Sequence, residues 1–162
     1  MKTAFHIQGT PPEHWQEALS ELQKDLGISL SDTGIPLNCI HGEGLSVESD
    51  GAQVTIVWSS PVSFYRAMSL IPLPLTPCSI RETPRFESAG IMFDCSRNAV
   101  LNADALRFFF RKMALMGLNL GMMYTEDTYE VPGQPFFGYK RGRYTYDELK
   151  ALQEEGVFGI GR

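Results

Sequence analysis

Residues 90–94 (GIMFD) and residues 118–124 (LNLGMMY) are the two stretches that decide the fold of this chain. Each is a short and mostly apolar run, which is typical of strands that are covered on both faces of a parallel sheet. Between them, apolar residues recur at helical spacing up to Gly117, and Asn102 or Asp104 can cap the start of this helix. The order strand, helix, strand predicts a βαβ unit of the kind that opens a β/α barrel.

A further helix is predicted to begin at Thr145, because Asp147 and Glu148 supply an acidic first turn ahead of an apolar stripe. Residues 90–162 are therefore predicted to form the first βαβα units of a (β/α)8 barrel, a TIM barrel. A complete barrel of this type needs roughly 200 residues or more. We therefore expect the barrel part of this chain to be incomplete.

The preceding residues predict a smaller α/β domain over 1–76, with the order strand, helix, strand, strand, helix. Its predicted elements are a strand over 4–8, a helix between Thr10 and Gly27, strands over 37–41 and 52–58, and a helix that Ser60 and Pro61 open. The Asp50-Gly51 turn dipeptide favours a hairpin or adjacent antiparallel strands. Residues 77–89 are polar, rich in proline and without apolar periodicity, so we expect a linker there.

The composition excludes several classes of function. The chain has 43% hydrophobic residues and a net charge of −5 without any polybasic block, which argues for a globular protein and against nucleic acid as a partner. No stretch has the pattern of a signal peptide or a membrane span. The three cysteines lie far apart and form no C-x-x-C pair, so we expect no disulfide framework, no zinc site, no cofactor and a cytoplasmic location.

Four ordered motifs occupy the second half of the chain: residues 92–100 (MFDCSRNAV), 113–119 (MALMGLN), 124–131 (YTEDTYEV) and 137–145 (FGYKRGRYT). Together they resemble the start of the catalytic barrel of family 20 glycoside hydrolases, the β-N-acetylhexosaminidases. The upstream half, from residues 5–9 (FHIQG) to residues 64–67 (FYRA), resembles the small α/β domain that precedes the barrel in this family. The resemblance covers nearly the whole chain.

The resemblance implies an exo-acting glycosidase that removes terminal N-acetylglucosamine or N-acetylgalactosamine by retaining, substrate-assisted hydrolysis, an exception to the usual two-carboxylate scheme. In the family, an adjacent Asp-Glu pair on a later strand orients the acetamido group and protonates the leaving oxygen. The one Asp-Glu dipeptide here, Asp147-Glu148, lies at the start of a predicted helix instead. We therefore expect no catalytic residue in this chain and no activity of the chain alone. The alternative is a catalytically silent carbohydrate-binding or assembly module.

Arg97 is the first candidate for substrate binding, because it matches the arginine with which the family grips the hydroxyls of the terminal sugar. A guanidinium offers paired donors in a fixed geometry, although Arg97 could instead be a surface arginine paired with Asp94. Glu126 and Asp127, which follow the second strand, are further candidates for substrate binding, but they could instead cap a helix or pair with Arg141 or Arg143. Cys95 is expected to be a small buried residue rather than a nucleophile.

Two surfaces of the predicted barrel part are candidates for binding a ligand or a second chain. The aromatic residues of segment 136–146 could bend over a sugar, although loop packing alone would explain them. An incomplete barrel leaves sheet edges and apolar residues uncovered, so we expect possible self-association through that edge. The sequence leaves open the aglycone, the choice between gluco and galacto sugars, and the oligomeric state.

Overall fold

The computed structural model describes residues 2–97 and 100–154 of the chain. The first part of the chain forms β1 (Thr3–Gly9), α1 (Trp15–Leu26), β2 (Ile28–Leu30), β3 (Ile35–His41), β4 (Leu45–Ser49), β5 (Val54–Trp58), α2 (Pro61–Leu70) and β6 (Cys78–Glu82). The second part forms β7 (Gly90–Asp94), α3 (Ala103–Met116), β8 (Leu120–Tyr124) and α4 (Tyr146–Glu154). The fold is mixed α/β, with four helices in the described ranges and two separate sheets.

The first sheet has six strands in the order β2-β1-β3-β5-β4-β6. β3 and β5 are parallel, with Leu37 opposite Val54, whereas β4 is antiparallel to both β5 and β6. The expectation of a hairpin between residues 37–41 and 52–58 is therefore wrong for that pair. The Asp50-Gly51 turn does close a hairpin, but it joins β5 to β4, a strand that the sequence did not reveal. Asp50 Oδ1 fixes this turn by accepting hydrogen bonds from the backbone N–H groups of Ala52 and Gln53.

Part of the expected linker is a strand. Residues 78–82 form β6, which pairs along its whole length with β4 from Cys78↔Ser49 to Glu82↔Leu45. Cys78 and Ile80 pack against the core of this sheet and Ser79 and Arg81 are exposed, but the alternation covers too few residues to predict a strand from the sequence. The irregular connection to the second sheet begins only after Glu82.

The boundaries of helices α2 and α3 follow local signals in the sequence. Ser60 and Ser63 form a reciprocal capping box at α2, while Asn102 caps α3 and Gly117 ends it in the left-handed conformation. α1 instead begins at Trp15, later than the Thr10-Pro11-Pro12 signal predicts. The hydroxyl and the backbone N–H of Thr10 both donate to the Cys39 carbonyl at the end of β3, so Thr10 is tied to the sheet and cannot cap the helix.

Two hydrophobic cores organise the molecule. The first lies between the six-stranded sheet and helices α1 and α2, and its fully buried members include Phe5, Leu37 and Phe64. The second lies between α3 and the β7-β8 pair, around Phe93 and Leu106. Helix α3 contributes to both, because its Ala114 belongs to the first core and its Met113 to the second.

Contacts between α2 and α3 join the two parts of the molecule. The guanidinium of Arg66 in α2 forms a bidentate ion pair with Glu82 of β6, with nitrogen to oxygen distances of 2.7 and 2.9 Å. Arg66 and Ser69 also donate to the Leu115 carbonyl near the end of α3. Lys112 of α3 is paired with Asp25 of α1 at 2.7 Å. Polar contacts therefore join α3 to both α1 and α2.

The predicted βαβ unit is present: β7 and β8 are parallel neighbours and α3 connects them. β8 begins at Leu120 rather than at residue 118, since the Leu118 N–H still bonds to the Met113 carbonyl of α3. Phe93 is buried under α3, but Met92 is 60% exposed on the other face. In the described residues β7 is therefore covered on one face only, which agrees with the expectation that this part of the chain leaves apolar residues uncovered. The barrel that this unit would open remains a prediction.

No helix within the described ranges could span a membrane, since the longest, α3, has 14 residues.

Candidate functional site

The carboxyl ends of β7 and β8 lie side by side, and the loops that follow them form the candidate site. Asp94 is the register partner of Tyr124, and the Cys95 N–H donates to the Tyr124 carbonyl at 2.8 Å. The parallel pairing thus places the predicted Arg97 loop next to the loop that carries Glu126 and Asp127. Sites of β/α units lie at this end of their strands.

A tight turn at Asp94 positions Arg97. One carboxylate oxygen of Asp94 accepts hydrogen bonds from the Ser96 hydroxyl at 2.6 Å and from the Ser96 N–H at 3.0 Å. These two bonds, with a smaller contribution from the Arg97 charge, hold the pKa of Asp94 below its usual value. Its other oxygen lies 3.7 Å from Arg97 Nε, and the Arg97 side chain is 79% exposed. The guanidinium therefore keeps donors that a ligand could engage.

Buried polar contacts around Cys95 stabilise this turn. Cys95 is fully buried, as expected, and its carbonyl accepts a hydrogen bond of 2.6 Å from the hydroxyl of Thr128, which is also fully buried. The Tyr144 hydroxyl donates to the Leu101 carbonyl and lies 3.5 Å from the Cys95 sulfur. Burial, and next the contact with Cys95, raise the pKa of Tyr144, so this phenol stays a neutral donor.

Asp127 and Glu126 lie at the end of β8, but their partners differ. Asp127 is paired with Arg141, at 3.4 Å between Oδ1 and Nε, which is one of the pairings that the alternative interpretation of its role names. Glu126 is within 3.4 Å of the Tyr124 hydroxyl. Both carboxylates follow β8, next to the loop that carries Arg97, and offer hydrogen-bond acceptors there.

Arg141 is a contributor to this site that the sequence did not single out as a site residue. Its guanidinium donates to the Ser96 carbonyl while it is paired with Asp127, so it links the loop after β7 to the loop after β8. A local signal for this role is absent, because Arg141 lies 45 residues after Ser96 in the sequence. The sequence shows it only as a member of the motif at residues 137–145 and as one candidate partner of Glu126 or Asp127.

The segment that carries Arg141 folds back over the strand ends. Four successive turns, each closed by a backbone hydrogen bond, run from Val131 to Arg141. The Phe137 ring packs edge-on against Tyr129, with ring centres 5.2 Å apart, and the Phe137 carbonyl accepts a 2.7 Å bond from Arg143. Gly138 has φ of 65° and lies against the Asp127 carbonyl, where any side chain would collide. The segment is thus held against the candidate site.

The site offers guanidinium, carboxylate and hydroxyl groups, which suit hydrogen bonding to a polyhydroxylated ligand. In residues 2–97 and 100–154, no three potential metal-binding side chains of the histidine, cysteine or carboxylate type come together. The Asp147-Glu148 pair lies in the first turn of α4, and Glu148 Oε2 accepts bonds from the N–H and hydroxyl of Thr145. That carboxylate is engaged in a helix cap.

No model of a protein family matches the chain, and no curated protein matches it. Solved structures do. A family 20 exo-β-N-acetylglucosaminidase from Vibrio harveyi, in complex with N-acetylglucosamine, aligns with a TM-score of 0.76 and 17% identity over 98% of this chain and 32% of that one. A β-N-acetylhexosaminidase from Bacteroides fragilis gives a TM-score of 0.70 and 14% identity over 98% and 38% of the two chains.

A third structure, a family 20 β-N-acetylglucosaminidase, aligns with a TM-score of 0.67 and 19% identity over 94% of this chain and 37% of that one. The chain thus spans about a third of the length of these structures. Identities this low show a common fold and nothing finer. In fold, this chain matches an N-terminal portion of the family 20 β-N-acetylglucosaminidases.

Proposed function

We propose that this chain is the N-terminal part of a family 20 β-N-acetylhexosaminidase, and that it contributes Arg97 to the binding of a terminal N-acetylhexosamine. The observation that carries the proposal is the position of Arg97 at the carboxyl end of β7, where its exposed guanidinium is oriented by Asp94. The Vibrio harveyi enzyme, about a third of which this chain matches in fold, was solved in complex with N-acetylglucosamine. Two adjacent hydroxyls of a pyranose suit the paired donors of a guanidinium.

In this proposal the βαβ unit formed by β7, α3 and β8 is the first part of a (β/α)8 barrel, and the six-stranded sheet with α1 and α2 forms the accessory domain that precedes it. The reaction is substrate-assisted hydrolysis with retention, in which the acetamido oxygen of the sugar is the nucleophile. Glu126 and Asp127 would add acceptors for the sugar hydroxyls. The general acid and the carboxylate that orients the acetamido group would come from strands that this sequence does not contain.

The chain alone is therefore proposed to bind the sugar without hydrolysing it. Its one Asp-Glu dipeptide caps α4, and Glu148 already accepts two hydrogen bonds from Thr145. Without a positioned acid, nothing protonates the leaving oxygen. Binding without an acid also favours the second candidate function, a catalytically silent carbohydrate-binding or assembly module.

The test measures binding and hydrolysis separately in the 162-residue chain. N-acetylglucosamine should shift the NMR signals of residues 94–97 and 124–128, and Arg97→Ala should abolish these shifts. Arg85→Ala is the matched control, because Arg85 is an exposed arginine before the amino end of β7 and should leave the shifts unchanged. An aryl N-acetyl-β-glucosaminide should not be hydrolysed.

Two results would contradict the proposal. Hydrolysis that disappears in Arg97→Ala would show that the chain carries its own acid. Shifts that persist in Arg97→Ala would show that this arginine does not hold the sugar. Joining the downstream coding sequence distinguishes the two functions: gain of hydrolysis supports the enzyme, while binding without hydrolysis supports the silent module.

A further inference from the structure

A cavity of about 600 Å³ lies where the two parts of the molecule meet. Ala89 and Asn119, which both line it, come directly before β7 and β8. The cavity is therefore at the amino end of the second sheet, whereas Arg97 follows the carboxyl end of β7. Its volume is within the range of about 300–1,000 Å³ that is usual for sites that bind small molecules.

Three parts of the chain form the walls of this cavity. One wall comes from β4 and α2, a second from the end of α3, and a third from residues 83–87 in the connection between the sheets. The side chain of Asn119 fixes this connection, because it accepts a 2.9 Å hydrogen bond from the Ala89 N–H and donates a 2.8 Å bond to the Glu87 carbonyl. The third wall is therefore attached to the start of β8.

Two strongly exposed apolar side chains contribute to the lining. Phe86 is 74% exposed and Met116 is 61% exposed, and the buried side chains of Leu45 and Val62 line the same cavity. Contact of such side chains with water is unfavourable, so an apolar ligand group would be stabilised between them. A phenylalanine ring and a methionine sulfur both make favourable contacts with aromatic groups. The apolar part of the lining therefore suits an aromatic ring.

The charges of the lining favour an anionic group on that ligand. Arg66 and Glu82 line the cavity, but they neutralise each other through their bidentate ion pair. In the part of the chain that the structure describes, the side chains of Arg85 and Glu87 have neither an ion pair nor a hydrogen bond. The Arg85 guanidinium can pair with a carboxylate through two parallel hydrogen bonds, which is a stronger arrangement than a single ammonium group can make with Glu87.

We propose that this cavity binds a small aromatic carboxylate, with its ring against Phe86 and Met116 and its carboxylate on Arg85. The proposal is independent of the proposed function, because the cavity shares no residue with the candidate sugar site. β4 and α2 belong to the first part of the molecule, whereas the end of α3 belongs to the second. A ligand in the cavity therefore contacts both parts and stabilises their association.

The experiment titrates three probes of nearly equal size into the full chain: naphthylacetate, naphthylacetamide and naphthylethylamine. They carry a negative charge, no charge and a positive charge, and their binding is followed through the NMR signals of Ala89, Met116 and Asn119. Naphthylacetate should bind about fivefold more tightly than the amide, which corresponds to roughly 1 kcal/mol from the pairing with Arg85. The amine should bind no more tightly than the amide.

Two variants with matched controls separate the charge from the apolar lining. Arg85→Gln should remove the advantage of naphthylacetate over the amide, whereas Arg81→Gln should keep it, because Arg81 is an exposed arginine outside the lining. Phe86→Ala should weaken all three probes about threefold or more. Phe108→Ala should weaken none of them, because Phe108 is 47% exposed on α3 but does not line the cavity. All four side chains are exposed, so the fold should tolerate these changes.

Several results would overturn this assignment. It fails if no probe shifts the three signals, if the amine binds most tightly, or if Arg85→Gln weakens all three probes to the same degree. Unchanged binding in Phe86→Ala would show that the ring of the probe does not lie against this side chain. Loss of binding in Arg97→Ala would place the probes at the candidate sugar site instead of the cavity.

Discussion

At the scale of single residues, the Asp94 turn is the feature that matters most for the candidate site. Asp94 has no catalytic assignment here, yet its carboxylate bonds fix the path of residues 94–97. Arg97 is paired with it only at 3.7 Å and is mostly exposed, so such a pair contributes little to stability. Asp94 is accordingly a positioning residue for the guanidinium rather than its permanent partner.

The ionisation of Asp94 provides a direct test of this turn. Because its folded pKa is lowered, its contribution to stability is present above the usual aspartate pKa of about 3.9 and is lost as the pH falls through the lowered value. Ser96→Ala removes the hydrogen bond from the Ser96 hydroxyl, which lowers the Asp94 pKa more than the bond from the Ser96 N–H does. The titration midpoint of Asp94 should therefore rise towards the usual aspartate value. Carbon NMR of the carboxyl group measures this midpoint in both proteins. An unchanged midpoint would mean that the Ser96 hydroxyl does not hold the carboxylate.

At the scale of secondary structure, the segment from Val131 to Arg141 depends on its glycines in two different ways. Gly133 and Gly138 both have positive φ, at 77° and 65°. A Cβ atom on Gly133 meets nothing within 4 Å, whereas one on Gly138 would overlap the Asp127 carbonyl and the Arg143 side chain. An alanine at position 133 would therefore cost only backbone strain, whereas an alanine at position 138 would add a steric collision to that strain.

Gly133→Ala should lower the free energy of unfolding by about 1 kcal/mol, the strain of a left-handed alanine. Gly138→Ala should lower it by about 2–4 kcal/mol, because a collision is added to the same strain. It should also displace the signals of Ser96 and Asp127 in the NMR spectrum, whereas Gly133→Ala should not. Urea unfolding measures the loss of unfolding free energy in both variants. Equal costs for the two variants would show that the segment does not rest on the loop after β8.

The same scale shows what the sequence could and could not predict. Ser60, Asn102 and Gly117 mark helix ends through contacts within a few residues, so sequence reasoning located those ends correctly. β6 and the parallel pairing of β3 with β5 were missed because they depend on partners far away in the chain. In the candidate site, the Arg97 loop was found through its motif, but the clamp by Arg141 depends on folding across 45 positions. Local signals determine the elements, whereas long-range pairing determines how they are joined.

At the scale of the whole molecule, the connection between the two sheets contains a run of six exposed residues, 83–88. Arg81 lies in β6, which pairs with β4, while Arg85 lies in the exposed irregular stretch that follows. Limited trypsin digestion should therefore cut first after Arg85. The two fragments should still elute together, because α3 remains docked on α2 through Arg66 and Ser69. Mass spectrometry of the native and the denatured digest tests both statements. A first cut after Arg81, or fragments that separate without denaturant, would contradict them.

The open face of the second sheet predicts self-association. Met92 and Met122 are register partners that point away from α3, with 60% and 46% of their surfaces exposed, and neither outer edge of the β7-β8 pair has a strand partner within residues 2–97 and 100–154. Such surfaces tend to pair. Sedimentation velocity should show association that grows with concentration.

Met92→Lys should reduce this association. Met116→Lys is the control, because Met116 is 61% exposed at the end of α3 and should leave association unchanged. A wild-type chain that remains monomeric at every concentration would show that the exposed strands do not attract one another.

Helix α3 couples the stability of the two hydrophobic cores, because it packs into both of them. Since Ala114 is buried in the first core and Met113 in the second, neither core can open without exposing part of the other. The two parts are therefore energetically coupled, and slow amide hydrogen exchange should extend over both with one common opening free energy. A destabilising substitution in the core of the six-stranded sheet would then increase how often the second core opens and the Arg97 loop loses its native conformation, although the substituted residue does not contact that loop.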